Sequence, residues 1–229
     1  MRITLVLVFI TAVISQVASA QSMGYIEEFT QIINGVQLEQ QSAYLIGSTP
    51  VADSCTVFIT KDQFVGKIGQ TIVDQLTQAP GDYGYLLHGG SLNDYCPKYK
   101  TMTTRQKSLV WVLFMTVMSQ FESSCRERVG NKDAPNGTAA GYFQLHNGLE
   151  YKYVDDPRKC PKNSSTDPVL ATVCALTMLE KQMKRTGGDL FDTKSYWAIL
   201  RRDQPRESRR ADDLASALNR SSLCNPKML

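Results

Sequence analysis

The sequence predicts a mainly α protein of the α+β type, with a helical domain around one central buried helix and a small irregular or β lobe. Three observations carry this. Leu109 to Met118 is apolar at nearly every position, and a helix without a polar face belongs inside a core. Apolar residues recur at helical spacing over 62–78 and 168–183. The stretches 125–136 and 146–165 are polar and hold Gly130, Pro135, Pro157 and Pro161, which makes them loops.

Taken in order, Met1-Arg2 gives a short positive start, Ile3 to Val17 is mostly apolar, and Ala18-Ser19-Ala20 has the form of a cleavage site. This pattern predicts a secretory signal peptide over 1–20 and a mature chain starting at Gln21. The apolar run is short for the ~20 residues a membrane span needs, so no membrane anchor is expected after cleavage. Residues 24–46 predict an amphipathic helix through Tyr25, Ile26, Phe29, Ile32, Ile33, Val36 and Leu38. Gly47 to Asp53 is a turn, and Thr56-Val57-Phe58-Ile59 is short and β-branched, fit for a strand or for the start of the next segment. A helix follows through Phe64, Ile68, Ile72, Val73 and Leu76, closed by Pro80-Gly81, and residues 81–103 read as an ordered loop. Residues 21–103 are thus expected to form a helical extension packed on a second domain at 104–229.

Thr103 or Thr104 can cap the central helix. Gly137 to Leu145 runs from small residues to aromatics, as in a turn or short strand lining a cleft. Asp167-Pro168 opens the next helix with proline in its first turn, and Gly187-Gly188 stops it. Helices over 193–203 and 211–223 complete the chain.

Six cysteines, Cys55, Cys96, Cys125, Cys160, Cys174 and Cys224, lie beyond the leader. An even number in an exported chain predicts up to three disulfides, with fifteen possible pairings. None sits at zinc-site spacing, and His88 and His146 stand apart, so no metal is expected. Residues 21–125 hold six Lys/Arg against nine Asp/Glu, and residues 126–229 hold eighteen against thirteen. The basic half can face an anionic polymer. Arg201, Arg202 and the arginines of 206–210 alternate with Asp203, Glu207, Asp212 and Asp213, however, which suits a salt-bridged surface. No aromatic interleaving marks a nucleic-acid platform.

The chemistry centres on Glu122, which closes the apolar helix. Burial against Phe121 disfavours its charged form, and the partial negative charge of a helix C-terminus acts the same way. Cover from Tyr142-Phe143 would exclude water further. A carboxyl held neutral in this way can protonate a glycosidic oxygen. The serines show no Gly-x-Ser-x-Gly and no histidine–aspartate partners. Cys125 is expected to be bridged, not nucleophilic.

Glu122-Ser123 after an apolar helix, followed by Ala139-x-Gly141-aromatic-x-Gln144-Leu145, resembles the soluble lytic transglycosylase domain, a relative of goose-type lysozyme. The family pattern is Glu-Ser, then Gly-Ala-x-Gly-Leu-Met-Gln-Leu, a further helix, and a Tyr-Asn pair. Here Thr138 stands for the first glycine, Tyr142 for leucine and Phe143 for methionine. In Ser195-Tyr196-Trp197, Trp197 takes the place of asparagine. The likeness covers about 104–200.

That resemblance implies a lysozyme-like fold and cleavage of the β-1,4 bond between N-acetylmuramic acid and N-acetylglucosamine in peptidoglycan. The implied agent is an exported monomer, periplasmic or secreted, without a cofactor. Glu122 would be the catalytic acid and then base, while Ser123, Gly141, Tyr142, Phe143, Gln144 and Tyr196 would bind the glycan or orient Glu122. His146 stands where goose-type enzymes place an aspartate, and Asp133 matches a further assisting aspartate. Hydrolysis by inversion needs a second carboxylate ~6.5–9.5 Å from the acid. The candidates Asp133, Glu150, Asp155 and Asp156 have no motif behind them, so transglycosylation is favoured. The alternatives are a hydrolysing lysozyme, which includes one for deacetylated walls, and a non-catalytic wall-binding or inhibitory protein of lysozyme-like fold.

Overall fold

The computed structural model of the chain describes residues 52–132, 134, 137–203 and 205–225. The expected leader, the helix over 24–46 and Asp133 lie outside the described residues. The described residues all fall within one compact unit.

The longest helices form where the sequence supplies both caps and burial. α4 (Thr104–Ser123) opens on a capping box: Thr103 Oγ1 accepts from Gln106 N at 3.3 Å, and Thr103 N donates to Gln106 Oε1 at 2.9 Å. The two bonds satisfy two orphan ends at once. Every residue from Ser108 to Thr116 is buried, so the helix runs through the core, as its lack of a polar face demands. It stops at Ser124, whose φ is 54°.

α5 (Pro168–Thr186) is capped by Asp167, which accepts from Val169 N and Leu170 N at 2.9 and 2.8 Å. It ends on Gly187, left-handed at φ 69°, with Gly188 N donating to Met183 O at 2.7 Å. Glycine adopts that conformation without a Cβ penalty.

α1 (Lys67–Gln78) lays Ile68, Ile72, Val73 and Leu76 against α4 and α5. α6 (Pro205–Arg220) closes another side of α4 through Ala211, Leu214 and Leu218, all buried. The small lobe is a three-stranded antiparallel sheet: β1 (Gly130–Asn131), β2 (Ala139–Ala140) and β3 (Leu145–His146). Ala139 sits opposite both Asn131 and His146.

The described part of the expected extension shares one core with the central helix. Trp111 of α4 donates to Tyr99 OH at 2.8 Å. Disulfides Cys55–Cys125 and Cys96–Cys224 join the segments covalently, and Cys160–Cys174 pins the loop before α5 to that helix. Cross-links over separations of 70 and 128 residues remove much of the freedom of the unfolded chain. Three disulfides suit an oxidising compartment. No described helix is long and apolar enough to cross a membrane.

Three expectations are corrected. Thr56–Ile59 is not a strand: a single bridge links Ile59 to Val65, because the segment turns back so closely that a Cβ on Gly69 would lie 2.2 Å from Phe58 O. The stretch 81–103 is not all loop. It holds α2 (Gly84–His88), α3 (Leu92–Tyr95) and a 3₁₀ turn at Tyr99–Thr101, each fixed by a buried anchor such as Leu86, Leu92 or Tyr99. Such short helices form through tertiary packing and carry little periodic signal. Finally, 193–203 is a run of turns and bends with one 3₁₀ turn at Ala198–Leu200, and the last helix starts at Pro205, ahead of the expected 211.

Candidate active site

The last turn of α4 brings Phe121 and Glu122 into a cleft of about 890 Å³. That is ample for several sugar-sized groups. The cleft is also lined by Met178, Lys181, Gln182 and Arg185 of α5, and by Gln144, His146, Tyr153, Tyr196 and Trp197.

Glu122 is half-buried. Burial pushes its carboxyl from 4.5 up to about 7, and the Arg210 guanidinium on α6 pulls weakly the other way. No cation lies within 4 Å of it among the described residues. Desolvation therefore wins over attraction, and much of the population keeps its proton near neutral pH.

The turn 141–144 is held with little freedom. Gly141 has φ 73°, and a Cβ there would stand 2.3 Å from Ser165 O, so no other residue fits. Three successive carbonyls of the turn are each taken by a side chain. Ser123 Oγ donates to Tyr142 O at 2.9 Å, Trp197 Nε1 to Phe143 O at 2.8 Å, and Tyr196 OH to Gln144 O at 3.1 Å. Gln144, itself left-handed at φ 48°, donates from Nε2 to Val129 O and Gly141 O at 3.0 and 2.9 Å. These bonds fasten the end of α4 and the segment 195–197 to one turn, which fixes where Glu122 sits relative to the far wall.

This geometry sorts the expected glycan-binding residues. Gln144 and Tyr196 line the cleft with Glu122. Ser123, Gly141, Tyr142 and Phe143 do not. Ser123 is buried with its hydroxyl spent on Ser119 O and Tyr142 O. The Tyr142 and Phe143 rings turn inward onto Phe58, with centroids at 5.2 and 5.9 Å, so they pack the core behind the turn and do not cover the acid. Tyr196 has its hydroxyl committed, accepting from His146 N at 2.9 Å as well as donating to Gln144 O. It positions the turn, in the same cleft as Glu122.

His146 lines the cleft, with Nδ1 2.8 Å from Tyr153 OH and its ring 5.2 Å from that of Tyr196. Burial lowers its pKa, opposed by the charge of Glu150, so the imidazole is neutral at pH 7. The candidate second carboxylates fare otherwise. Glu150 is fully buried, and its oxygens accept from Asn163 N and Ser165 N at 3.1 and 3.0 Å, which makes it a clamp for the loop before α5. Asp155 pairs with Lys181 at 3.0 Å, and Asp156 with Arg158 at 2.8 Å. Among the described residues, Glu122 is the one carboxylic acid lining the cleft. No group of three or more His, Cys, Asp or Glu gathers among them in a way that could hold a metal.

Several lining residues gave no sequence signal. Tyr153 and Lys152 lie on a 3₁₀ turn inside what reads as featureless loop. Arg201 and Arg210, expected on a salt-bridged surface, line the cleft, while Arg202 does pair with Asp212 at 3.2 Å. The face of α5 toward the cleft was readable only as one side of a helix.

No family model matches the sequence, and no curated protein matches it. The fold is similar to that of solved structures of Bd0314 DslA. The wild-type form aligns with a TM-score of 0.54 at 18% identity, covering 69% of this chain and 91% of that one. Two variants of that protein, each with a glutamate replaced by glutamine, align at 0.53 with the same identity and coverage. The likeness establishes a shared fold.

Proposed function

We propose that this chain cleaves the β-1,4 bond between N-acetylmuramic acid and N-acetylglucosamine in exported peptidoglycan, by lytic transglycosylase chemistry with Glu122 as sole acid and base. The observation that carries this reading is a half-buried carboxyl, raised to about 7, lining a cleft of sugar-polymer dimensions. The likeness of the motif around Gly141 and Gln144 to that of lytic transglycosylases supports it.

In this mechanism protonated Glu122 gives its proton to the glycosidic oxygen as the bond to C1 breaks, with positive charge developing at C1. The resulting carboxylate then takes the proton of the sugar's own 6-hydroxyl while that oxygen bonds to C1. The product is a 1,6-anhydro end, Glu122 is protonated again, and no water is consumed. Hydrolysis by inversion would require a base across the ring, and no second carboxylate lines the cleft among the described residues. Among the described residues, His146 is the one neutral imidazole lining the cleft, so hydrolysis would fall to it.

Mass spectrometry of digested sacculi tests the reading. Anhydro ends are expected. Reducing ends would replace transglycosylation by hydrolysis, and intact strands that still sediment with the protein would leave a wall-binding protein instead.

A further inference from the structure

The charge of the cleft is lopsided. Glu122 shares it with six basic side chains: Lys152, Lys181, Arg185, Lys194, Arg201 and Arg210. Arg201 is part of the frame, donating from Nε to Ser195 O at 2.8 Å. Arg210 faces the acid from α6, its guanidinium 6.0 Å from the Phe121 ring centre. The other four form one bank. Lys181 and Arg185 stand a turn apart on α5, Arg185 also reaches Lys194 O at 3.4 Å, and Lys152 lies three residues before Asp155, the partner of Lys181. Asp155 and Asp192 offset Lys181 and Arg185 from outside the cleft. Lys152 and Lys194 are exposed, with no acidic partner within 4 Å among the described residues.

We propose that this bank, with Lys152 and Lys194 as its unpaired members, is a carboxylate subsite that binds the peptides carried by the glycan and so selects peptide-bearing strands. This rests on the function proposed above, since it takes the polymer in the cleft to be peptidoglycan. An N-acetylated disaccharide backbone is neutral, and the negative charge of such a polymer lies on the carboxylates of its peptides. A cleft lined by one sign of charge concentrates its field at the opening. Flexible ammonium groups suit carboxylates arriving in variable positions, as point charges without fixed geometry. The segregation also fits the chemistry. Neutral sugars lie against Glu122, Gln144 and the Tyr153 and Tyr196 rings, and the charged branches meet the four cations of the bank, while Arg210 is the cation that acts on the Glu122 carboxyl.

The test is equilibrium binding of the full chain carrying Glu122→Gln to two probes: soluble uncross-linked strands with their peptides, and the same strands stripped of peptides by an amidase. Peptide-bearing strands are expected to bind about tenfold tighter, the product of two exposed charge contacts. Added salt should erase the preference, and so should Lys152→Gln with Lys194→Gln. The salt arm needs no further substitution and stands even if the lysine variant folds poorly. Equal affinity for the two probes overturns the subsite, as does a preference that survives both salt and the lysine changes. A single-stranded oligonucleotide that competes as well as the peptide-bearing strand overturns its assignment to carboxylates. Cleavage by the wild-type chain is scored separately. Cleavage without preference defeats the subsite alone, and preference without cleavage defeats the enzymatic reading alone.

Discussion

Glu122 and Glu150 are both withdrawn from water, by opposite means. Glu150 is fully buried but meets two backbone amides, from Asn163 and Ser165. Glu122, in the last turn of α4, is desolvated by burial, and its carboxyl is raised to about 7. Amide donors make a buried carboxyl a structural tie, and their absence makes one a proton store. Chemical type does not separate the two. Each is a glutamate within a short distance of the same cleft, and the difference lies wholly in which donors the backbone presents.

The comparison breaks most sharply at Glu122. Glu122→Gln keeps the shape but has no carboxyl proton to give, so release of soluble muropeptides from sacculi is expected to fall about a thousandfold. A variant that clears walls like its parent would remove Glu122 from the chemistry.

The matching change at the other site acts on stability. In Glu150→Gln an amide group must face one of the two backbone donors, leaving a buried N–H without an acceptor. That costs about 2–3 kcal/mol in denaturant unfolding, with little effect on activity per folded molecule. A variant as stable as its parent would show that Glu150 is not the tie described.

The smallest effect carries a sign. Unfolded Glu122 titrates near 4.5 and the folded group near 7, so between those values the folded state holds more proton. Its stability contribution is full below pH 4.5 and is lost as pH rises through about 7. Glutamine has no such loss. Glu122→Gln should therefore gain on the parent by about 1–2 kcal/mol at pH 8 relative to pH 4, less than the full shift implies because the side chain is partly exposed. Equal pH profiles would mean that the acid is not strained when ionised.

The elements that could be read from the sequence are those whose signals are local. Thr103, Asp167, Pro168 and Gly187 mark helix ends by capping chemistry, and the apolar run 109–118 marks a buried rod by composition. Glu122 and Gln144, singled out from their immediate neighbours, line one cleft. What stayed hidden depends on long-range contact. Tyr142 and Phe143 look like cleft cover until Phe58, far away in sequence, is found to hold their rings in the core. Trp197 looks like a departure from the family pattern until its indole is seen to hold Phe143 O. Lys152 and Tyr153 carry no period, and Arg210 reads as solvated surface, because nothing local shows which way a loop or a charged helix face will turn.

The central claim is tested most directly by titrating the Glu122 carboxyl itself, using ¹³C NMR of the labelled chain with Glu122→Gln to assign the resonance. A midpoint close to 7 is expected. A midpoint near 4.5 would mean an ionised carboxylate at the pH of the cell wall, and no proton to place on a glycosidic oxygen.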